Sequence, residues 1–132
     1  MRVIVCLLLC VSLLTACNGG VPSAHKELLA AHDWTLAKAQ SASEYVLTLE
    51  PAERDTFTAQ QLSFIVDAEQ TVVKQYTYTL KAWTLDGQAL ICHVYEDAQS
   101  AVIGAYIDVD GVPYPLDAKE QLVQQQVITL TK

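Results

Sequence analysis

Between Thr71 and Leu85 the chain alternates without a break. Val72, Tyr76, Tyr78, Leu80 and Ala82 share one face, and Val73, Gln75, Thr77, Thr79, Lys81 and Trp83 share the other. Only Lys74 interrupts the first face, near the start of the run, where a long side chain reaches solvent. A period of two over this length predicts a half-buried β-strand. Asp86-Gly87 follows directly, and an Asp-Gly pair between alternating runs favours a type I′ hairpin, because both central residues need positive φ. A two-residue loop then dictates the pairing: Trp83 opposite Leu90, Ala82 opposite Ile91, Lys81 opposite Cys92, Leu80 opposite His93 and Tyr78 opposite Tyr95. In that register Tyr76, Tyr78 and Tyr95 gather with Leu80 on one sheet face, as core or as the lining of a shallow apolar pocket. A slip of one residue would turn every side chain to the other face.

The rest of the chain extends this hairpin into an α+β domain, mainly antiparallel β, whose sheet has room to curl toward a barrel. Ser23 is placed to cap a short helix over Ala24 to His32. Alternation predicts strands over Asp33 to Gln40 and over Glu44 to Glu50, with Ser41 to Ser43 as a break and Pro51 as the stop. Pro51 to Gln61 is polar and reads as a loop with room for one helical turn. Gln61 to Asp67 reads as a strand with Leu62, Phe64 and Val66 on one face. Ser100 to Val109 reads as a strand in which Gly104 marks a bulge. Asp110-Gly111 repeats the hairpin signal, and Pro113 and Pro115 confine the strand after it to an edge. Asp117, with Glu120 three residues on, predicts a short helix over 117–123. A last strand is expected over Gln124 to Thr131.

The N-terminus carries a different kind of information. Met1 and Arg2 precede an apolar run from Val3 to Leu14 that ends in Leu14-Thr15-Ala16-Cys17, the layout of a secretory signal segment. The run is shorter than the roughly 20 residues that span a bilayer. Leu-Thr-Ala-Cys resembles the lipobox of bacterial lipoproteins. The resemblance implies cleavage between Ala16 and Cys17, a covalent lipid on the Cys17 sulfur and attachment to a membrane. It further implies that Asn18, where Asp would mark inner-membrane retention in enterobacteria, directs the protein to the outer membrane. Residues 1–16 are then the signal, 17–23 a lipidated Cys and flexible tether, and 24–132 a single domain. Cys6 and Cys10 leave with the signal and Cys17 carries lipid, so Cys92 remains without a partner and no disulfide is expected. Without Arg2, 7 basic residues stand against 15 acidic ones, a net of −8. Such a surface repels phosphate backbones, and nucleic-acid binding is not expected.

Candidate chemistry is sparse. Cys92 and His93 are adjacent, but neighbours in a strand point to opposite faces, so thiol and imidazole do not meet. His25 and His32 lie two helical turns apart, about 10.5 Å along the axis, too far to share one metal ion. Glu50, Glu53 and Asp55 lack the ligand order of a calcium loop. No nucleophile elbow, zinc-protease signature, phosphate loop or Cys-x-x-Cys occurs, so neither catalysis, metal nor cofactor is expected beyond the lipid on Cys17. His32-Asp33-Trp34-Thr35-Leu36, Leu62-Ser63-Phe64 leading a strand, and Ile128-Thr129-Leu130 resemble the META domain of HslJ-like envelope proteins, small β-rich domains linked to stress and antibiotic resistance. The chain departs from that family in lacking its Gly-Cys-Asn element. The expected function is a non-catalytic, membrane-anchored domain that binds another envelope protein or peptidoglycan, through the edge at Pro113–Pro115 or a patch around Trp34. The alternatives are a small-molecule or lipid carrier with a pocket lined by Tyr76, Tyr78 and Leu80, and an inhibitor of a hydrolase.

Overall fold

The structure, a computed structural model, describes residues 21–131. Ala16, Cys17 and the signal and lipidation expectations tied to them lie outside the described residues. In chain order the elements are α1 (Ser23–Ala31), β1 (Leu36–Val46), α2 (Pro51–Ala59), α3 (Ser63–Asp67), β2 (Val72–Thr84), β3 (Ala89–Asp97), β4 (Val102–Val109), β5 (Val112–Pro115), a 3-10 turn (Leu116–Ala118) running into α4 (Lys119–Gln124), and β6 (Ile128–Thr129). Strands β1 to β5 form an antiparallel meander in sequence order, and β6 adds to β2 beyond the end of β1. The domain is α+β and the sheet stays open rather than closing into a barrel.

The alternating run forms β2 as expected, but its register on β3 differs. The turn after β2 holds three residues, Leu85 to Gly87: the Gly87 N–H donates to the Thr84 carbonyl at 3.0 Å, and Thr84 N–H donates to the Gln88 carbonyl at 2.8 Å. Gly87 alone has positive φ, +89°, so the loop is a turn followed by a left-handed glycine. The cause is Thr84, whose hydroxyl bonds the Asp86 carboxylate and accepts the Gln88 N–H, which holds Asp86 out of the left-handed region. A further irregularity falls between Thr79 and Trp83. Together these slips pair Tyr78 with Cys92 and Gln75 with Tyr95, in place of Tyr78 with Tyr95. The type I′ turn forms instead at Asp110-Gly111, where φ is +52° and +85° and Val109 pairs directly with Val112. The prolines sit on β5, an edge, as their missing N–H groups require.

The odd slip sorts the apolar residues onto two faces. Tyr76, Tyr78, Leu80, Ala82, Leu90, Cys92, Val94 and Ile107 pack under α1, Trp34 and α4. On the opposite face Val73 and Tyr95 pack with Leu47, Leu49, Phe57, Leu62 and Ile65 beneath α2 and α3. Trp34, an expected surface patch, is 4% exposed and donates its indole N–H to the Leu116 carbonyl at 2.8 Å. At Gly104 the β3–β4 register shifts, Tyr95 pairing with Gly104 and Glu96 with Val102. The bulge turns Ile103 to the second face while Val102 packs on the first. A Cβ on Gly104 would meet Phe64 Cγ at 2.5 Å.

Helices replace strand and loop in two places. The expected loop 51–61 is α2: Pro51 occupies its first position and the Glu53 carboxylate accepts the Glu50 N–H at 2.9 Å. Both are helix-start signals. The expected strand 61–67 is α3, where Leu62 and Ile65 are buried three apart, a helical spacing. The Leu62-Ser63-Phe64 segment thus enters a helix rather than leading a strand. The break expected at Ser41–Ser43 is absent: β1 runs through it with irregular pairing nearby, and Leu47 to Glu50 continue outside the strand. Ser23 and Asp117 do not cap their helices; α1 starts from Pro22, and α4 grows out of the 3-10 turn. The final strand is confined to Ile128–Thr129 because the chain first has to leave α4.

Three helices end the same way. After α1, α2 and α4, the residues Asp33, Gln61 and Gln126 adopt φ of +62°, +60° and +58°. The next N–H then reaches back: Trp34 to the Leu29 carbonyl, Leu62 to Phe57, and Val127 to Leu122, each at 2.9 Å. This is the Schellman arrangement, with an apolar contact between the residues so joined, and glycine is its usual left-handed residue. Replacing Gln61 with Gly therefore relieves backbone strain and is expected to raise stability by about 0.5–1 kcal/mol. Gly104→Ala drives a methyl into the Phe64 ring and is expected to lower it by about 1–3 kcal/mol. Urea denaturation of the two variants, shifting the midpoint in opposite directions, checks both.

Candidate functional site

Two clusters of polar side chains flank the sheet, one on each face. The first lies under α1. His25, one turn before the buried Leu29, is 0% exposed. Its Nε2 lies 2.7 Å from Glu96 Oε2 and its Nδ1 2.6 Å from the Tyr78 hydroxyl. A carboxylate only accepts, so Nε2–H donates to Glu96 and Nδ1 accepts the Tyr78 O–H. The Tyr76 ring stands edge-on to the imidazole at 4.5 Å, and its hydroxyl donates to Glu96 Oε1 at 3.4 Å. Lys74, cross-strand from Glu96, is 7% exposed and donates to Ser100 Oγ at 2.7 Å. Lys74 thus stays within the protein rather than reaching solvent. This network locks α1 to β2 and β3.

The second cluster lies on the opposite face, where α2 and α3 cover only one end. Beyond them the sheet presents Gln75, Thr77, His93, Tyr106 and Asp108, all part-buried. His93 Nδ1 accepts from Gln75 Nε2 at 2.9 Å and lies 3.1 Å from Thr77 Oγ1, and the Tyr45 hydroxyl donates to Gln75 Oε1. His93 Nε2 is 3.9 Å from Asp108 Oδ2, and the Tyr106 ring lies 5.1 Å from the imidazole. Tyr106 also stacks on Tyr95 at 6.0 Å and meets Phe57 edge-on at 5.3 Å. Where α2 passes over β4 and β5 a groove of about 350 Å³ opens, lined by Glu53, Thr56, Phe57, Tyr106, Asp108 and Pro113 among others.

Electrostatics separate these groups. Burial pushes the His93 pKa down, with Asp108 opposing, so the imidazole is neutral at pH 7. Burial, with Asp108, Tyr45 and Glu53 adding their charges, pushes the Tyr106 hydroxyl up to about 12. Tyr45 and Tyr95 are raised as well, mainly by burial, so all three remain hydrogen-bond donors. Cys92 is fully buried and its thiol is pushed up to about 12, which makes it an apolar core group rather than a nucleophile.

Of the expected pocket residues, Tyr76, Tyr78 and Leu80 share the first core, while Tyr95 lies in the second. The correction follows from the odd register slip, which turns Tyr95 away from its expected partners. His25 is buried in its network and His32 follows the end of α1. Glu50, Glu53 and Asp55 lie at the start of α2 rather than in a loop. Among the described residues no group of three metal-ligating side chains is assembled, and no helix is long and apolar enough to cross a membrane. The role of His25 was visible in part, because it stands four residues before Leu29 on the apolar stripe. The row of Gln75, Thr77, Tyr106 and Asp108 around His93 carried no local signal, since it exists only across three paired strands.

No family model, curated protein or solved structure matches the chain. The lipobox and META-like resemblances accordingly rest on their own residues.

His25 gives the domain a pH dependence. Burial holds its folded pKa below the ordinary 6.5, with the hydrogen bond and charge of Glu96 opposing. The unfolded chain therefore binds the proton more readily. The contribution is present in full above about pH 6.5 and is lost as pH falls through the lower folded value. His93 adds a second depressed imidazole in the same window. Removing His25 strands the Glu96 carboxylate and the Tyr78 hydroxyl in the core, so His25→Ala is expected to cost about 3 kcal/mol at pH 7.5. The difference between wild type and variant should shrink between pH 6.5 and 5, as read by urea denaturation at each pH.

Proposed function

We propose that this chain is a lipid-anchored protein of the bacterial envelope, held to the outer membrane through Cys17, whose domain acts without catalysis by binding another envelope protein. The anchoring part rests on Leu14-Thr15-Ala16-Cys17 and the apolar run before it. The observation that carries the binding part is the half-covered second face of the sheet. There Gln75, Thr77 and His93 form a hydrogen-bonded cluster, with Tyr106 and Asp108 next to it on β4, beside an open groove. Binding surfaces favour such pre-ordered aromatic and polar groups, since little side-chain freedom is left to lose. An envelope hydrolase restrained by the domain is one partner of this kind.

The carrier reading has less support. Its pocket required the face of Tyr76, Tyr78 and Leu80, and the His25 imidazole stands against both of these tyrosine rings at 4.5 and 5.8 Å. All three pocket residues are at most 3% exposed.

Two measurements test the proposal. Cys17→Ser is expected to abolish incorporation of labelled fatty acid and to leave an uncleaved precursor; lipid on the variant would end the anchoring claim. A photo-crosslinking residue at Thr77 is expected to yield a discrete protein adduct in intact cells, and the same residue at Lys26 on the outside of α1 is not. Equal yields from both positions would remove the sheet face as the binding surface.

A further inference from the structure

The groove beside α2 has a floor and a rim of different chemistry. Phe57 and Tyr106 form an aromatic floor with Pro113 behind them. Glu53 stands on the α2 side and Asp108 on the β4 side, and the charges of both bear on the Tyr106 hydroxyl between them. Each carboxylate has one oxygen engaged locally. Glu53 Oε1 accepts the Glu50 N–H at 2.9 Å, and Asp108 Oδ1 accepts the Gly111 N–H at 2.8 Å. These bonds fix the two groups without neutralising them. Among the described residues neither carboxylate forms an ion pair with a lysine or arginine. The nearby Arg54 is turned away, with both its Nε and Nη2 on Glu69 at 3.0 and 2.6 Å. The imidazole nearest Asp108 is neutral at pH 7 and lies 3.9 Å off.

From this charge pattern we infer that the groove seats an arginine side chain from the partner protein, its guanidinium lying against the Tyr106–Phe57 floor and between the carboxylates of Glu53 and Asp108. The inference rests on the binding role given above to this face and names the chemistry of its occupant. Arginine suits the site better than lysine. Its planar cation stacks on aromatic rings and presents donors in two directions at once, whereas an ammonium is a strongly hydrated point charge. The groove volume of about 350 Å³ admits one long side chain and leaves its backbone outside, where the donors and acceptors of the Thr77–His93 row begin. The net charge of −7 over the whole chain favours a basic partner.

The test uses the full-length chain in detergent micelles, followed by NMR of its aromatic side chains. It is titrated with acetyl-Ala-Arg-Ala-amide, with the lysine and glutamate analogues, and with spermidine. The arginine peptide is expected to shift Tyr106 and Phe57 saturably, with a dissociation constant on the order of 1 mM, and the glutamate peptide is expected to shift neither. Glu53→Gln and Asp108→Asn should each weaken the arginine response about tenfold, the loss of one charged hydrogen bond. Equal responses to lysine and arginine, shifts spread over the acidic surface, or unchanged affinity in Asp108→Asn would overturn the inference. Saturation of the same rings at lower concentration by spermidine than by the peptide would overturn the protein source of the cation. The Thr77 crosslink reports on the face independently: an adduct there without an arginine response discards this occupant and keeps the surface.

Discussion

Tyr78 lies opposite Cys92, and Lys74 opposite Glu96, and most of the molecule depends on that pairing of β2 with β3. It puts the even-numbered residues of both strands on one side, under α1 and α4, and Val73 and Tyr95 on the other, under α2 and α3. A sheet covered on both faces can bury nearly all its large apolar residues, but each face must then be matched by its own helices. The same register brings Glu96 and Tyr78 within reach of one imidazole. Had Asp86-Gly87 formed a two-residue loop with no further slip between Thr79 and Trp83, Tyr95 would stand beside Tyr78, and the cluster around Tyr106 would lose its stacking partner.

His25 converts that register into a position for α1. A short helix is marginal alone, and most of its stability comes from packing. Leu29 supplies the apolar contact, but a single leucine permits rotation and sliding. Bonds from one buried ring to Glu96 on β3 and Tyr78 on β2 permit much less. Burying this set has a desolvation cost that an apolar substitute would avoid, so its value lies in fixing one arrangement rather than in raw stability. The chain enters α1 directly from the segment bearing Cys17.

What was legible in the sequence was what is local. The alternation of Thr71 to Leu85, the edge strand with Pro113 and Pro115, the bulge at Gly104 and the short helix after Leu116 all follow from neighbouring residues. The first hairpin departs from its local signal because Thr84, outside the Asp86-Gly87 pair, uses its hydroxyl to select a three-residue loop. The helices α2 and α3 depart from the pattern for another reason. Pro51 can end a strand, but a proline equally suits the first turn of a helix, and Glu53 three residues after Glu50 tips the balance. Leu62, Phe64 and Val66 alternate as a strand would, yet Leu62 and Ile65 are the deeply buried pair. In five residues the two periods cannot be told apart by pattern alone. The cross-strand row at His93 was out of reach altogether, because it needs three strands in register.

The helix ends explain why no glycine announced them. A left-handed residue at a helix end costs about 1 kcal/mol or more unless it is glycine, so Asp33, Gln61 and Gln126 should each work against folding. Each is followed by an apolar residue that shares a core with the residue its N–H reaches: Trp34 with Leu29, Leu62 with Phe57, Val127 with Leu122. All but Val127 are under 9% exposed, and Val127 is part-buried. Burying one such side chain is worth about 1.5–3 kcal/mol, enough to offset the strain of the residue before it. The stop signal of these helices is therefore the apolar residue two beyond the cap, a signal that depends on a tertiary contact. At α2 this has a direct structural consequence. The turn at Gln61 sends Leu62 and Ile65 into the second core, which holds α2 over Tyr95 and Tyr106 and leaves Glu53 at the mouth of the groove.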